Sequence, residues 1–577
     1  MKKILPYLKN QKLRLLFELI IKIIGTLMDL AIPYVLTYII DDVFPLITEN
    51  NYKQMLGRII FLGILMILFS IIGVSFNIIA NQSASYVTKN ATRGLRYDLF
   101  KKVQLLSNTQ IDELTMPSII SRLSSDTYNV HQMVGMMQRI GVRAPILLVG
   151  GIIVTLTLDP MLTLILFITL PLIVAVTIII SKLGIPLFNN VQLSIDNMIR
   201  VIRENITGVR VIKALSKMDY EKNRFNKVNK EVMNYELKSG YTMTSLNPII
   251  NVLLNIGLVA VLVVGAMRIM GYKTEVGKVI AFTSYFTIIL NAMLSITRIF
   301  MVFTRSMASL SRIGYILDMP QDLQIEDIKP KKTKYFIEFN KVNFSYNNKE
   351  LNLENINFKL KNGETLGIIG ATGCGKSTII NLLMRFYDIN SGEILINGKN
   401  IKSFNAIKLK KLFGVAFQND TIFSDTIKEN IVFGRDISED DLNKAIDVSQ
   451  SREFINNQPE GLNTWLTPKG TNISGGQKQR LYIARALANN PKILILDDSS
   501  SALDYKTDSL LRQRIKENYD CTIIVVAQRI SSIKHCDKIM LLEEGKVVGY
   551  GTHDELMRNS EIYNEIYQSQ MGGGIDE

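Results

Sequence analysis

The sequence of 577 residues predicts an α-helical six-span transmembrane domain, with long helical extensions beyond the bilayer, fused to an α/β domain. Three observations carry that prediction. Six apolar stretches in the first 302 residues are long enough to cross ~30 Å of hydrocarbon. After residue 337, short β-rich runs alternate with helical segments, the pattern of a parallel sheet. Charge divides along the same line. The chain holds 66 basic and 52 acidic residues, net +14, yet residues 341–577 hold 29 and 30 of them. The basic excess, 37 against 22, therefore lies in the apolar half. It marks loops that face the cytoplasm and argues against a nucleic-acid partner. A composition 47% hydrophobic excludes intrinsic disorder.

The spans are read at 14–40, 58–80, 135–158, 161–183, 247–269 and 278–302. The second carries no charge. The first is interrupted by Glu18, Lys22 and Asp29, and the third by Arg139 and Arg143. Residues 1–14 are basic without an acid, 41–50 are acidic without a base, and 181–240 hold eleven basic and six acidic groups. Loop charge then puts both termini and the second domain in the cytoplasm, with the chain in the cell membrane. The connections 81–134 and 184–246 read as polar helix, so membrane helices continue into the cytoplasm and return. Asp159-Pro160 and 270–276 are short outer loops. The polar stretch 318–336, with two prolines, is a linker between a transmembrane domain (1–317) and the second domain (337–577). No small-residue cleavage site follows the first apolar run, which is read as a retained span. Cys374, Cys521 and Cys536 match no disulfide or zinc spacing.

The chemistry begins at Gly370-Ala371-Thr372-Gly373-Cys374-Gly375-Lys376-Ser377, a complete GxxxxGKS between an apolar strand and a helix. Glycines let backbone N–H groups curl around phosphates, and the helix N-terminus adds positive dipole. Lys376 neutralises the β/γ phosphates and Ser377 offers a hydroxyl to Mg²⁺. The strand 493–497 puts Asp497 on the same metal. The second domain is thus a P-loop nucleotide-binding fold, with Gly370, Thr372, Gly373, Cys374, Gly375, Lys376, Ser377 and Thr378 around the phosphates.

The sequence Ser474-Gly475-Gly476-Gln477, between the P-loop and Asp497, adds a second motif. Together they resemble the ATP-binding-cassette family over essentially the whole chain, and the six spans ahead resemble its exporter-type half-transporters. The resemblance implies ATP and Mg²⁺ as cofactors. It also implies that Tyr346 stacks on adenine and that Gln418 senses Mg²⁺ and contacts the membrane domain. Ser474 to Gln477 would cap the γ-phosphate bound by a partner cassette, and Asp504 would signal across the dimer.

The resemblance exposes two departures. Asp498 stands where hydrolytic cassettes usually have Glu as general base, and Gln528 where they have His. Asp is one methylene shorter, and a base must reach its water. Gln cannot gain or lose a proton in this range. Because cassettes dimerise head to tail, an impaired P-loop side with an intact Ser474–Gln477 predicts one subunit of a heterodimer, resembling bacterial multidrug exporters. The expected cargo is hydrophobic or amphipathic. The alternatives are a homodimeric lipid or peptide exporter, and a regulatory membrane protein that binds ATP without pumping.

Residues 205–215 and 110–118 resemble the family's coupling helices. Polar residues inside spans are candidates for a substrate path: Asp29 in the first, Asn251 and Asn255 in the fifth, Arg298 in the sixth.

Overall fold

The computed structural model describes residues 3–320, 323–347, 349–418, 420–498 and 505–571. The chain forms two compact units, Met1–Gln104 with Pro117–Met319, and Leu105–Met116 with Pro320–Glu577.

The described residues of the first unit form helices joined by short loops. Its elements are α1 (Leu5–Lys9), α2 (Lys12–Tyr38) and α3 (Tyr52–Gln104), then, after α4 (Asn108–Leu114) of the second unit, α5 (Met116–Ser121), α6 (Thr127–Arg139), α7 (Arg143–Leu158), α8 (Pro160–Thr207), α9 (Val209–Ala214), α10 (Met218–Thr244), α11 (Leu246–Met270) and α12 (Val276–Asp318). The 53 residues of α3 reach roughly 80 Å at 1.5 Å per residue. Its apolar first half therefore continues directly into a polar extension, as the pattern of 81–134 predicts. The helices α8 and α10 do the same for 184–246.

Among the described residues, five helical stretches are long and apolar enough to cross a membrane: Tyr52–Gln104, Met116–Leu158, Pro160–Thr207, Met218–Met270 and Val276–Asp318. The sequence predicts six. The difference is the first span, α2, which carries Glu18, Lys22 and Asp29. The third predicted span, 135–158, is in fact two helices, because α6 stops at Arg139 and α7 starts at Arg143.

Local chemistry sets the turn between α7 and α8. Asp159 caps α8 by accepting from the backbone N–H of Met161 and Leu162, and Pro160 takes the first position, where no N–H is needed. The same carboxylate accepts from Arg268 Nε at 3.0 Å, tying α8 to α11. Asp41 accepts from the N–H groups of Gly277 and Lys278 at 2.5 and 2.8 Å and so closes the start of α12. At the core of the unit, Phe282, Tyr285, Phe286 and Ile289 of α12 are fully buried with Leu162 and Leu166 of α8. Tyr285 satisfies its hydroxyl on the Leu30 carbonyl at 2.5 Å.

The second unit holds two sheets. One is antiparallel, in the order β2 (Leu353–Leu360), β1 (Ile337–Phe344), β4 (Ser391–Ile396), β5 (Lys399–Asn400). The other runs β10 (Lys546–Gly551), β9 (Lys538–Glu543), β3 (Thr365–Gly370), β8 (Thr522–Val526), β7 (Ile493–Asp497), β6 (Phe413–Ala416), parallel except for β10. The strand β7 reads ILILD and is buried at all five positions, as expected of a central parallel strand covered on both faces. Cys374, Cys521 and Cys536 are buried free thiols. The short helix α4, within the predicted first coupling segment, belongs to this unit. Tyr387 donates its hydroxyl to Asp112 Oδ2 at 2.7 Å, and Gln110 donates to the Pro320 carbonyl at 2.8 Å.

Candidate functional site

In the parallel sheet, β6, β7, β8 and β3 are consecutive neighbours, and their registers align Leu496 with Ala416 and Val526 with both Asp497 and Ile368. Every loop leaving a carboxyl end therefore opens on one side, where ligands bind in α/β sheets. There a cleft of about 290 Å³ draws on the loop after β3, Asp497 at the end of β7 and Asp498 after it, Gln528 after β8, and Gln418 after β6. Residues spread over more than a hundred positions meet because four strands pair.

The loop after β3 needs its glycines. A Cβ on Gly370 would lie 2.1 Å from the Leu542 carbonyl oxygen. Gly375, at φ +103°, precedes α13 (Lys376–Leu383) in a left-handed conformation, and a Cβ there would strike Leu353 Cδ2 at 2.6 Å. Lys376 Nζ donates to the Gly370 and Ala371 carbonyls, each at 2.8 Å, and holds the loop curled. The ammonium, the loop N–H groups and the start of α13 form a donor set that fits a polyphosphate.

Ser377 Oγ lies 3.4 Å from Asp497 Oδ2. A hydroxyl beside a carboxylate is the hard-oxygen pair that Mg²⁺ takes. Burial pushes the Asp497 carboxyl above the ordinary range and the charge of Asp498 adds to it, against the Ser377 hydrogen bond and Lys376. Asp498, at φ +49°, follows directly. Its Oδ2 accepts from Gln418 Nε2 at 3.1 Å and from Gln528 Nε2 at 3.0 Å. Burial raises this carboxyl too, opposed by the Gln418 bond and by Lys376 and Arg529. The two residues that depart from the family pattern are thus bonded to each other.

Tyr346 borders the cleft, its hydroxyl 3.2 Å from Thr378 Oγ1. Phe344 and Tyr387 hold the ring edge-on at 4.8 and 5.0 Å, and 42% of the residue stays exposed, enough for a base to stack on. Asn352, not singled out from sequence, accepts from the Tyr346 N–H at 3.0 Å and lines the same cleft.

Ser474 to Gln477 lie elsewhere in the unit and do not line this cleft. Ser474 caps the helix Gly475–Leu487, its hydroxyl accepting from Gln477 N–H while Gln477 Oε1 accepts from Ser474 N–H at 2.8 Å. The pattern S-x-x-Q is legible in sequence as a capping box. Asp420 links this helix to the Gln418 loop, with Arg485 Nη1 at 3.3 Å and the Tyr482 hydroxyl donating to its carbonyl at 3.0 Å. No sequence motif announces that link.

Asp504 lies outside the described residues. Of the substrate-path candidates, Asp29 accepts from Arg143 Nη2 at 2.9 Å and so has a structural partner. Asn251, Asn255 and Arg298 are exposed on α11 and α12.

Comparison with known proteins agrees with the two-unit architecture. Residues 15–294 match the model of the ABC transporter transmembrane region, and residues 353–501 match that of the ABC transporter. The uncharacterized ABC transporter ATP-binding protein YfiB of Bacillus subtilis (strain 168) is 34% identical over 99% of both chains. The ATP-dependent lipid A-core flippase of Haemophilus influenzae (strain 86-028NP) is 30% identical over 99% of this chain and 97% of that one. A bacterial Atm1-family ABC exporter solved with ATP bound shares the fold, with a TM-score of 0.82 at 22% identity over 98% of this chain and 99% of that one. The chain belongs to the ABC transporter family. It fuses an exporter-type transmembrane region to a cassette that binds ATP and couples its hydrolysis to transport.

Proposed function

We propose that the chain is one half of a heterodimeric exporter of hydrophobic or amphipathic compounds, with a degenerate ATP site of its own. One observation carries this reading: Asp498 Oδ2 is held by the amides of Gln418 and Gln528 at 3.1 and 3.0 Å. A general base needs an oxygen free to take a proton from water. Here one oxygen of a short carboxylate, Oδ2, already takes two amide donors, and Gln528 cannot relay a proton.

Gly370 to Thr378 bind the triphosphate, and Tyr346 stacks on adenine. Ser377 and Asp497, with Gln418, hold Mg²⁺, which neutralises phosphate charge when bound. Ser474 to Gln477 complete the hydrolytic site of the partner subunit. Asp504 signals between the two sites. Six spans, α2 included, form a transmembrane domain over 1–317, joined through 318–336 to the cassette at 337–577, with both termini cytoplasmic. The turn around α9 leaves Ile206, Val211 and Leu215 exposed by more than half, an apolar face for the partner's cassette. Cassette closure on ATP then switches the cavity from inward- to outward-facing.

The test is ATPase activity of the purified chain, alone and with a partner half-transporter. Weak activity alone and strong activity in the pair is expected. Asp498→Glu with Gln528→His raises the lone chain about 10²-fold, the low end of general-base effects. Robust activity from the lone chain, lost in Asp498→Asn, overturns the heterodimer. Similarity to a lipid A-core flippase favours a second reading, a homodimeric lipid exporter.

A further inference from the structure

A cavity of about 490 Å³ lies among α1, α2 and the α6–α7 junction. Its walls are apolar, with Ile4, Leu16 and Met137 among them, but Glu18 lines it as well. Glu18 is 4% exposed, and its Oε2 is buried without a hydrogen-bond partner among the described residues. Other acids of the helical unit are answered: Asp29 by Arg143, Asp126 by Arg312 and Asp159 by Arg268. Lys22, one turn on, acts on Glu18 through its charge but gives it no hydrogen bond. It donates instead to Asn81 Oδ1 at 2.6 Å.

A buried carboxylate without a donor is costly, and a bound molecule that supplies one removes the cost. The cavity size suits one small amphipath. Lys12, Lys22 and Gln138 also line it, so its polar equipment is one carboxylate, two ammonium groups and one amide. The complement is a head with an ammonium and a phosphate. The apolar walls take the start of a chain, and most of α2 lies in the matched transmembrane region, 15–294. Leu13 and Leu16 stay exposed on α2.

We propose that this cavity is a binding site for an ethanolamine-headed phospholipid, its ammonium donating to Glu18 and its phosphate accepting from the lysines. The full chain is purified in detergent and offered equal amounts of phosphatidylethanolamine and phosphatidylglycerol with identical chains. Retained lipid is read by native mass spectrometry. Wild type is expected to retain the ethanolamine lipid about tenfold better, the ratio a charge-assisted hydrogen bond supplies. Glu18→Gln brings the ratio to about one. Met137→Trp keeps the carboxylate and fills the cavity, so it lowers retention of both lipids. If one variant does not fold, the other decides. Equal retention by wild type, a preference that survives Glu18→Gln, or undiminished retention by folded Met137→Trp overturns the site. Retention of added dodecylamine with neither lipid held makes the occupant a soluble cationic amphipath and overturns the lipid assignment.

Discussion

Buried polar groups occur in both units, and they find partners in opposite ways. In the cleft the partners sit on neighbouring strand ends, so Ser377 meets Asp497, and Gln418 and Gln528 meet Asp498. Sheet hydrogen bonds already place those strands. The side chains are left to do chemistry. In the helical unit the partners tie helices that share no backbone ladder, as Arg268 ties α11 to Asp159 ahead of α8. There the charge pair is part of the architecture. Substitutions in the cleft should change activity with little effect on folding, and substitutions in the helical pairs should do the reverse.

Arg268→Ala strains that contrast most. Asp159 has a side chain only 3% exposed, and removing the counterion of such a buried pair costs about 3–5 kcal/mol. Thermal unfolding in detergent should show a collapse in stability, partly recovered by Arg268→Lys. Intact stability with lost ATPase would erase the distinction between the units.

Asp497→Asn is next and runs the other way. Burial raises the Asp497 and Asp498 carboxyls, so the folded cassette holds these protons more tightly than the unfolded chain. The stability they contribute is full below the ordinary carboxylate pKa of about 4 and is lost as pH rises through their raised values. Without nucleotide, Asp497→Asn should therefore raise the melting midpoint at pH 7 by about 2–4 °C, the shift ~1 kcal/mol gives a domain of this size. It should also flatten the decline with pH while Mg²⁺-dependent nucleotide binding is lost.

Ser474→Ala is the smallest change. Loss of the cap costs about 1 kcal/mol, read as a small drop in the cassette's melting midpoint. The larger loss should fall on ATP turnover by the assembled transporter. Equal losses in both would make Ser474 a structural cap alone.

Much of the cleft is legible from residues because its parts are local. A glycine loop between strand and helix and a carboxylate at a strand end each need only a few neighbouring positions, as does S-x-x-Q before a helix outside the cleft. The long extensions of α3 and α8 were legible for the same reason, as helical pattern without a break. The charged residues of the helical unit were not. Asp29, read as a candidate for the substrate path, pairs with Arg143 across 114 positions, and no spacing rule connects them. Nor does any pattern announce that Tyr387 bonds Asp112 of α4, or that Asp420 joins the Gln418 loop to the helix after Ser474.

By itself, then, the sequence determined what most segments are: apolar helix, polar extension, phosphate loop and strand. These depend on residue type at short range, through burial, backbone geometry and hydrogen-bond satisfaction over one or two turns. Only the tertiary structure decided which polar groups answer each other. It bonded Gln528 to Asp498, gave Asp29 a partner and left Glu18 Oε2 without a hydrogen bond among the described residues. Those choices depend on which strands pair and which helices pack, and both bring together residues that the chain holds far apart.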